Sequence, residues 1–380
     1  MAADFRGRSR RLVLAGLFSA APWFLAFNVY QEIQWLPRAQ INDFHYFYAA
    51  ARAGLADGWS RIYDPSLSQQ IISAECPGSP TVAFLYPPVD AWLALPLAAL
   101  PCMTAYWIWA SLSLGMLIAA ALLAAPRAWE LKVLFALSAV AFLPTYAAFA
   151  AGQLSPLVLL ALVLALRSMS AGRETVAGIL LSVLLVKPQL ALLVPITLVL
   201  AGHHRAFLAW AVTTTVLLVA SLLSLGQHGV EQWVANQIVL YWASGYEQRW
   251  SLPVVLGSSA AGYAVELGAL VLALVVARRT RNLGPSAAVA IGVAASMLLA
   301  YHLTPPDFVV LLMPLWLIAR TQRPEAMALA IVGWIACWFS VGLAVPVMLF
   351  EWLAIAFWLV LRPATQAVEG EVPVSRLINS

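Results

Sequence analysis

Of the 380 residues, 63% are hydrophobic and only 10% are charged, where a soluble domain carries roughly 25% charged residues. The apolar residues come in blocks long enough to cross a bilayer, about 20 residues each, which excludes a soluble globule and indicates an all-α polytopic membrane protein. The net charge of +4 reflects arginines at the ends of the apolar blocks and gives no reason to invoke nucleic acid as a partner.

The chain opens with Arg6-Gly7-Arg8-Ser9-Arg10-Arg11, followed by an apolar run from Leu12 to Tyr30. A cleaved signal would have a shorter apolar region ending in small residues. This run continues through Pro22, Trp23 and Phe24, which predicts an uncleaved first span with a cytoplasmic N-terminus. About twelve spans are predicted, at roughly 12–30, 84–100, 103–125, 132–150, 154–168, 175–200, 206–226, 252–277, 285–302, 306–320, 326–343 and 345–361. Residues 1–363 then form one integral membrane domain, and 364–380 a short polar cytoplasmic tail. With the N-terminus inside, Arg205, Arg278, Arg279, Arg281, Arg320, Arg323 and Arg362 fall on the cytoplasmic side, as the positive-inside rule asks. Arg127, Lys132, Arg167 and Arg173 fall outside. Either the count between 103 and 200 is wrong, or those cations serve the outer face.

Two outward loops are long. The first, 31–83, alternates aromatic and polar groups and is broken by Pro65 and Pro77-Gly78-Ser79-Pro80, a pattern that suits short helices lying in the interface. The second, 227–251, carries tryptophans and tyrosines that suit the headgroup region, and ends on Arg249-Trp250. No inverted or tandem repeat stands out, which weakens the case for a secondary transporter. Cys76, Cys102 and Cys337 are odd in number and scattered. They lack metal-ligand spacing and the density of a disulfide scaffold, and so read as three unpaired thiols.

Asp43 sits in Ile41-Asn42-Asp43-Phe44-His45-Tyr46-Phe47-Tyr48, a carboxylate beside aromatic rings just past the first span. On a helix starting at Asn42, Asp43, Phe47, Ala50 and Gly54 share one face with Tyr46 beside them. The carboxylate either does chemistry on a lipid-borne substrate or merely caps that helix. Phe84-Leu85-Tyr86-Pro87-Pro88 reads as a helix start, since prolines in the first turn give up N–H groups that had no partner. Gly152-Gln153-Leu154-Ser155-Pro156 is a polar break that a turn explains as well as a ligand contact. Lys187-Pro188-Gln189 lies inside an apolar stretch, where the lysine must pair, snorkel or bind an anionic group, and Pro188 breaks the helical ladder. Tyr301-His302-Leu303-Thr304-Pro305-Pro306-Asp307 gathers a histidine and a carboxylate at a proline-stiffened junction, with a capped helix start as the plainer explanation. Glu266 and Glu351 lie at or inside spans without an assignable role.

These landmarks, in order, resemble glycosyltransferase family 87. The resemblance is carried by Asp43-Phe44 through Tyr48, Gly58 to Tyr63, Tyr86-Pro87-Pro88, Gly152-Gln153, Lys187-Pro188 and the His302 to Asp307 junction ahead of Leu312-Met313-Pro314. It implies a GT-C membrane fold in the bacterial inner membrane, with the site facing the periplasm. It also implies an inverting transfer of a hexose, mannose in the characterised members, from a polyprenyl-phosphate sugar to a lipid-linked or glycolipid acceptor. Asp43 takes the place of the general base. Pro306-Asp307-Phe308 stands where mannosyl members carry a His-rich element, and His302 is the nearest histidine, so the donor sugar stays open.

A carboxylate can take the proton of an attacking hydroxyl, and a lipid phosphate leaving group needs cations rather than an acid. Lys187, Arg249 and His302 are the candidates for the donor phosphate. Tyr46, Tyr86, Gln153 and Asp307 are the candidates for further substrate contact. No cofactor and no metal is called for, and the partners expected are the donor, the acceptor and membrane lipid. Two rivals come from other classes. One is a lipid or glycolipid flippase or transporter without chemistry. The other is a polymerase or ligase using a pyrophosphate-linked donor, which would want paired arginines where 227–251 offers only Arg249.

Overall fold

The computed structural model describes residues 16, 19–31, 33–34, 43–77, 84–243, 252–257, 259–300 and 302–361. Among the described residues every regular element is a helix. In chain order α1 covers 19–31, α2 Phe44–Ala56, α3 Pro65–Glu75, α4 Pro88–Ala94 and α5 Cys102–Ala124. Then follow α6 Trp129–Val140, α7 Leu143–Ala150, α8 Ser155–Ser170, α9 Glu174–Leu181, α10 Leu193–Leu200 and α11 His204–Ala243. The chain closes with α12 Leu252–Leu256, α13 Ala260–Arg279, α14 Pro285–Leu299, α15 Leu312–Ala319, α16 Pro324–Ala336 and α17 Ser340–Leu361.

Three of these, α5, α11 over His204–Ile238 and α13, are long and apolar enough to cross a membrane, although α11 is interrupted by non-helical backbone at Gly226. At 1.5 Å per residue, the 23 residues of α5 reach about 35 Å, against a hydrocarbon core of about 30 Å. The α6–α7 pair is long and apolar enough only when taken together, and is bent by 55° at its break. Pro144 enters α7 at that bend, and the carbonyls it frees find donors. Asn28 on α1 gives its amide N–H groups to Val140 and Phe142 O at 3.1 and 3.2 Å, and the Thr145 hydroxyl donates to Ala139 O. Polar groups without water must be satisfied this way inside a bilayer. The core helix is α14, from Pro285 to Leu298 buried at nearly every position. Its alanines and Gly292 let α10 come close. A Cβ on Gly292 would lie 2.6 Å from Thr197 Oγ1, and that hydroxyl donates to Ala288 O across the contact.

Two predicted spans are corrected. The stretch 84–100 is not a span: Pro88 starts a seven-residue helix that gives way to a 3-10 turn around Pro96. The stretch 175–200 is a hairpin. Short 3-10 turns flank Lys187, which joins them with non-helical backbone, and at its base His203 Nδ1 meets a Glu174 carboxylate oxygen at 2.8 Å. Hydropathy counts apolar residues and does not register where prolines turn them back.

Removing one crossing before residue 103 and adding one at Lys187 moves Arg127, Lys132, Arg167 and Arg173 to the same end of the bundle as the later cations. Arg167 donates to Leu123 O at the end of α5, and Arg278 donates to Leu200 O at the end of α10.

The three-thiol expectation is also corrected. Cys76 and Cys102 form a disulfide, joining the end of α3 to the start of α5. Their spacing of 26 residues carries no signal; only the fold brings them together. Cys337 is free and buried, with its thiol 3.8 Å from the buried Glu351 carboxylate.

Candidate active site

Asp43 opens α2 at its N-cap position but makes no side-chain capping bond. Its main chain is fixed instead, with its N–H donating to Ala151 O at 2.7 Å. The carboxylate therefore points away from its own helix, and Oδ2 accepts from the Tyr86 hydroxyl at 2.7 Å and from the Gln153 side-chain N–H. Gln153 also donates to the Tyr86 oxygen at 3.3 Å. Asp43 remains partly exposed while Gln153 is buried. Burial raises the Asp43 carboxyl above the ordinary carboxylate range, opposed by the Tyr86 hydrogen bond and the Lys187 charge.

Close packing holds this arrangement. Gly152 has φ +63°, and a Cβ there would lie 2.6 Å from Phe44 Cβ, so only glycine lets the 151–153 turn press on the first residue of α2. The Gly152 carbonyl accepts from Trp109 Nε1 at 3.0 Å. Phe44 and Phe47 pack on Trp109, and Phe47 meets Tyr86 edge to face at 4.7 Å. Behind them Tyr48 and Arg52 both bind Glu75, next to the disulfide. Gly54, on the small-residue end of the predicted face, lies against the Trp59 ring, 2.8 Å from where its Cβ would be. Tyr46 sits on the first turn of α2, half-buried against the aromatic core.

A second polar group adjoins the first. Lys187 Nζ, 3% exposed, pairs with Asp307 Oδ1 at 2.5 Å, and Asp307 is wholly buried. Asp307 Oδ2 takes the Thr304 N–H and hydroxyl at 2.8 and 3.0 Å, completing a capping box at the helical turn Pro305–Leu311. The capped start and the paired lysine are thus both present at this junction. His302 is half-buried and within electrostatic range of Asp307 and Lys187. Arg249 lies outside the described residues.

One residue of this neighbourhood went unread in the sequence. Asp90, on α4, is fully buried, lies within electrostatic range of Lys187, and has no hydrogen-bond partner on either oxygen among the described residues. In sequence it looks like an ordinary acidic residue in a first helical turn. Its one signal was a carboxylate in an otherwise apolar run. A group of three potential metal ligands, His45 with Cys76 and Cys102, does come together. The two sulfurs are bonded to each other and are not available as thiolate ligands.

Fold and site together define a helical membrane protein whose partly exposed carboxylate is held by donors at the edge of a buried polar cluster. The family model for glycosyltransferase family 87 matches residues 84–301, more than half of the chain. The chain belongs to that family and is a glycosyltransferase. The matched stretch contains Tyr86, Asp90, Gln153 and Lys187, while Asp43, His302 and Asp307 flank it. No curated protein and no solved structure matches the chain.

Proposed function

We propose that the protein is an inverting hexosyltransferase. It moves a hexose, with mannose the first to test, from a polyprenyl-phosphate sugar to a lipid-linked or glycolipid acceptor at the outer face of the bacterial inner membrane. The observation that carries this is the Asp43 carboxylate: partly exposed, not spent on capping, and oriented by Tyr86 and Gln153. The acceptor hydroxyl gives its proton to Asp43 as its oxygen bonds to the anomeric carbon. The bond from that carbon to the phosphate oxygen breaks, and the polyprenyl phosphate leaves with the electron pair. Burial favours this, because a carboxyl with a raised pKa is a stronger base.

Donor phosphate contacts are assigned to His302, Arg249 and the Lys187 charge. Asp307 acts through Lys187 as a positioning residue, and Tyr46, Tyr86 and Gln153 line the sugar. The proposal assigns no cofactor. The fold proposed is GT-C, with about twelve passes, several of them built from broken helices.

Two independent features support the outward orientation. Arg167 and Arg278 sit at the ends of α5 and α10 away from Asp43, as the positive-inside rule asks of a cytoplasmic face, while Arg52 and Arg61 on the Asp43 side are each paired with an acid. The Cys76–Cys102 disulfide lies on the Asp43 side, and disulfides persist in oxidising compartments.

The test is transfer of labelled mannose from polyprenyl-phosphate mannose to a crude lipid extract by the purified protein in liposomes, with Asp43→Asn alongside. Product formed by the wild type alone is expected. Lipid scrambling without any product from this or other polyprenyl-phosphate sugars would replace the enzyme with a flippase. Product only from a pyrophosphate-linked donor would replace the donor class.

A further inference from the structure

The polar cluster has an imbalance that the reaction above does not use. Its donors are already engaged: the Tyr86 hydroxyl and Gln153 N–H on Asp43, and the Lys187 ammonium on Asp307. What remains unmet is a set of acceptors. Both carboxylate oxygens of Asp90 and the side-chain oxygen of Gln153 are sealed from solvent with nothing donating to them among the described residues. Asp90 stands in the first turn of α4, four residues after Tyr86, on a helix packed against α2. Buried acceptors without partners are costly and rare, and in a native protein point to a missing ligand, ion or water.

The chemistry of the missing group follows from what these atoms lack. A phosphate diester brings more acceptors and no donor. A metal cation would satisfy the oxygens, but Asp307 has both of its oxygens engaged by Lys187 and Thr304, and among the described residues Asp90 belongs to no group of three potential metal ligands. The Tyr63 hydroxyl, within electrostatic range of Asp90, is committed to Tyr86 O at 2.7 Å. Neutral O–H donors fit, and a hexose supplies several.

We propose that Asp90 is a sugar-recognition residue, its carboxylate accepting hydroxyl hydrogen bonds from the transferred hexose, with Gln153 Oε1 as a second acceptor. This rests on the reaction proposed above and adds the residue that reads the sugar. Because Asp90 is sealed from solvent, the sugar reaches it through a shift of α4, a seven-residue helix with prolines at its start and just beyond its end.

The experiment pairs donor analogues with a variant. Wild type and Asp90→Asn are assayed with the polyprenyl-phosphate sugar and with its single-deoxy analogues, and the melting temperatures of both substrate-free proteins are measured. In the wild type, one deoxy position lowers kcat/KM by about 10- to 100-fold, the range for a lost hydrogen bond to a charged partner. In Asp90→Asn that penalty collapses to about threefold or less, because the side chain now places N–H groups where the hydroxyl donated. The variant also melts no lower than the wild type, since neither oxygen of the buried Asp90 carboxyl has a hydrogen-bond partner to lose.

An undiminished deoxy penalty in Asp90→Asn would overturn the assignment, and so would a lowered melting temperature, the mark of a structural carboxylate. If Asp90→Asn does not accumulate, Asp90→Leu serves the same two measurements. A wild type that turns over no polyprenyl-phosphate sugar is a separate failure, visible without any variant, and it overturns the reaction and this assignment together.

Discussion

Asp43 and Asp307 both stand at helix starts beside the same cluster, and their surroundings divide them. Asp307 is fully buried and spent, with one oxygen on Lys187 and the other on the Thr304 N–H and hydroxyl. Asp43 starts its helix without capping it, stays partly exposed, and takes only side-chain donors from other elements. A carboxylate that satisfies its own helix and a buried cation holds the fold. One oriented by distant residues and left open on a side is available for chemistry. Two aspartates that look alike in sequence are separated by what their oxygens already hold.

The largest effect expected from this contrast is on stability. Lys187→Met leaves Asp307 charged and buried alone, and should cost about 3–5 kcal/mol, measured by thermal or denaturant unfolding in detergent. The double variant Lys187→Met with Asp307→Leu should recover most of that loss. If the single variant unfolds like the wild type, the pair is not structural and the contrast breaks.

Gly152→Ala comes next, combining a positive φ with a Cβ that runs into Phe44. It should cost about 2–3 kcal/mol and lower transfer by about 100-fold through displacement of Asp43. Activity and unfolding measured on the same preparation would separate the two losses.

Tyr86→Phe is the mildest, at about 1 kcal/mol of stability, but it sharpens the role of Asp43. The base must be ionised, so kcat/KM falls as pH drops through the Asp43 pKa. The Tyr86 hydrogen bond lowers that pKa, so removing it should move the acid limb of the pH–rate profile to higher pH. A limb that stays in place would separate Tyr86 from the base.

Much of this was legible in the sequence. The apolar blocks gave the membrane class, and the aromatic setting of Asp43 singled it out as the candidate base. The prolines at Pro87-Pro88 and Pro305-Pro306 marked helix starts that the structure contains. What was hidden depends on contacts far apart in the chain. Asp43 could not be told from a cap until Tyr86 and Gln153 were seen to hold it. Hydropathy read 84–100 as a span, which set four cations apart from the later ones, and ran two half-length helices together across Lys187. Cys76 and Cys102 meet only because α3 returns to the start of α5. Asp90 reads as a first-turn acid until its oxygens prove to have no partners.

The most direct measurement sets Asp43→Asn beside Asp307→Asn, with initial transfer rates and unfolding recorded on the same preparations. A catalytic Asp43 predicts that Asp43→Asn unfolds like the wild type and loses about 10²- to 10⁴-fold in transfer rate, while Asp307→Asn shows its loss chiefly in stability. Wild-type transfer by a folded Asp43→Asn protein would contradict the assignment of Asp43 as the base.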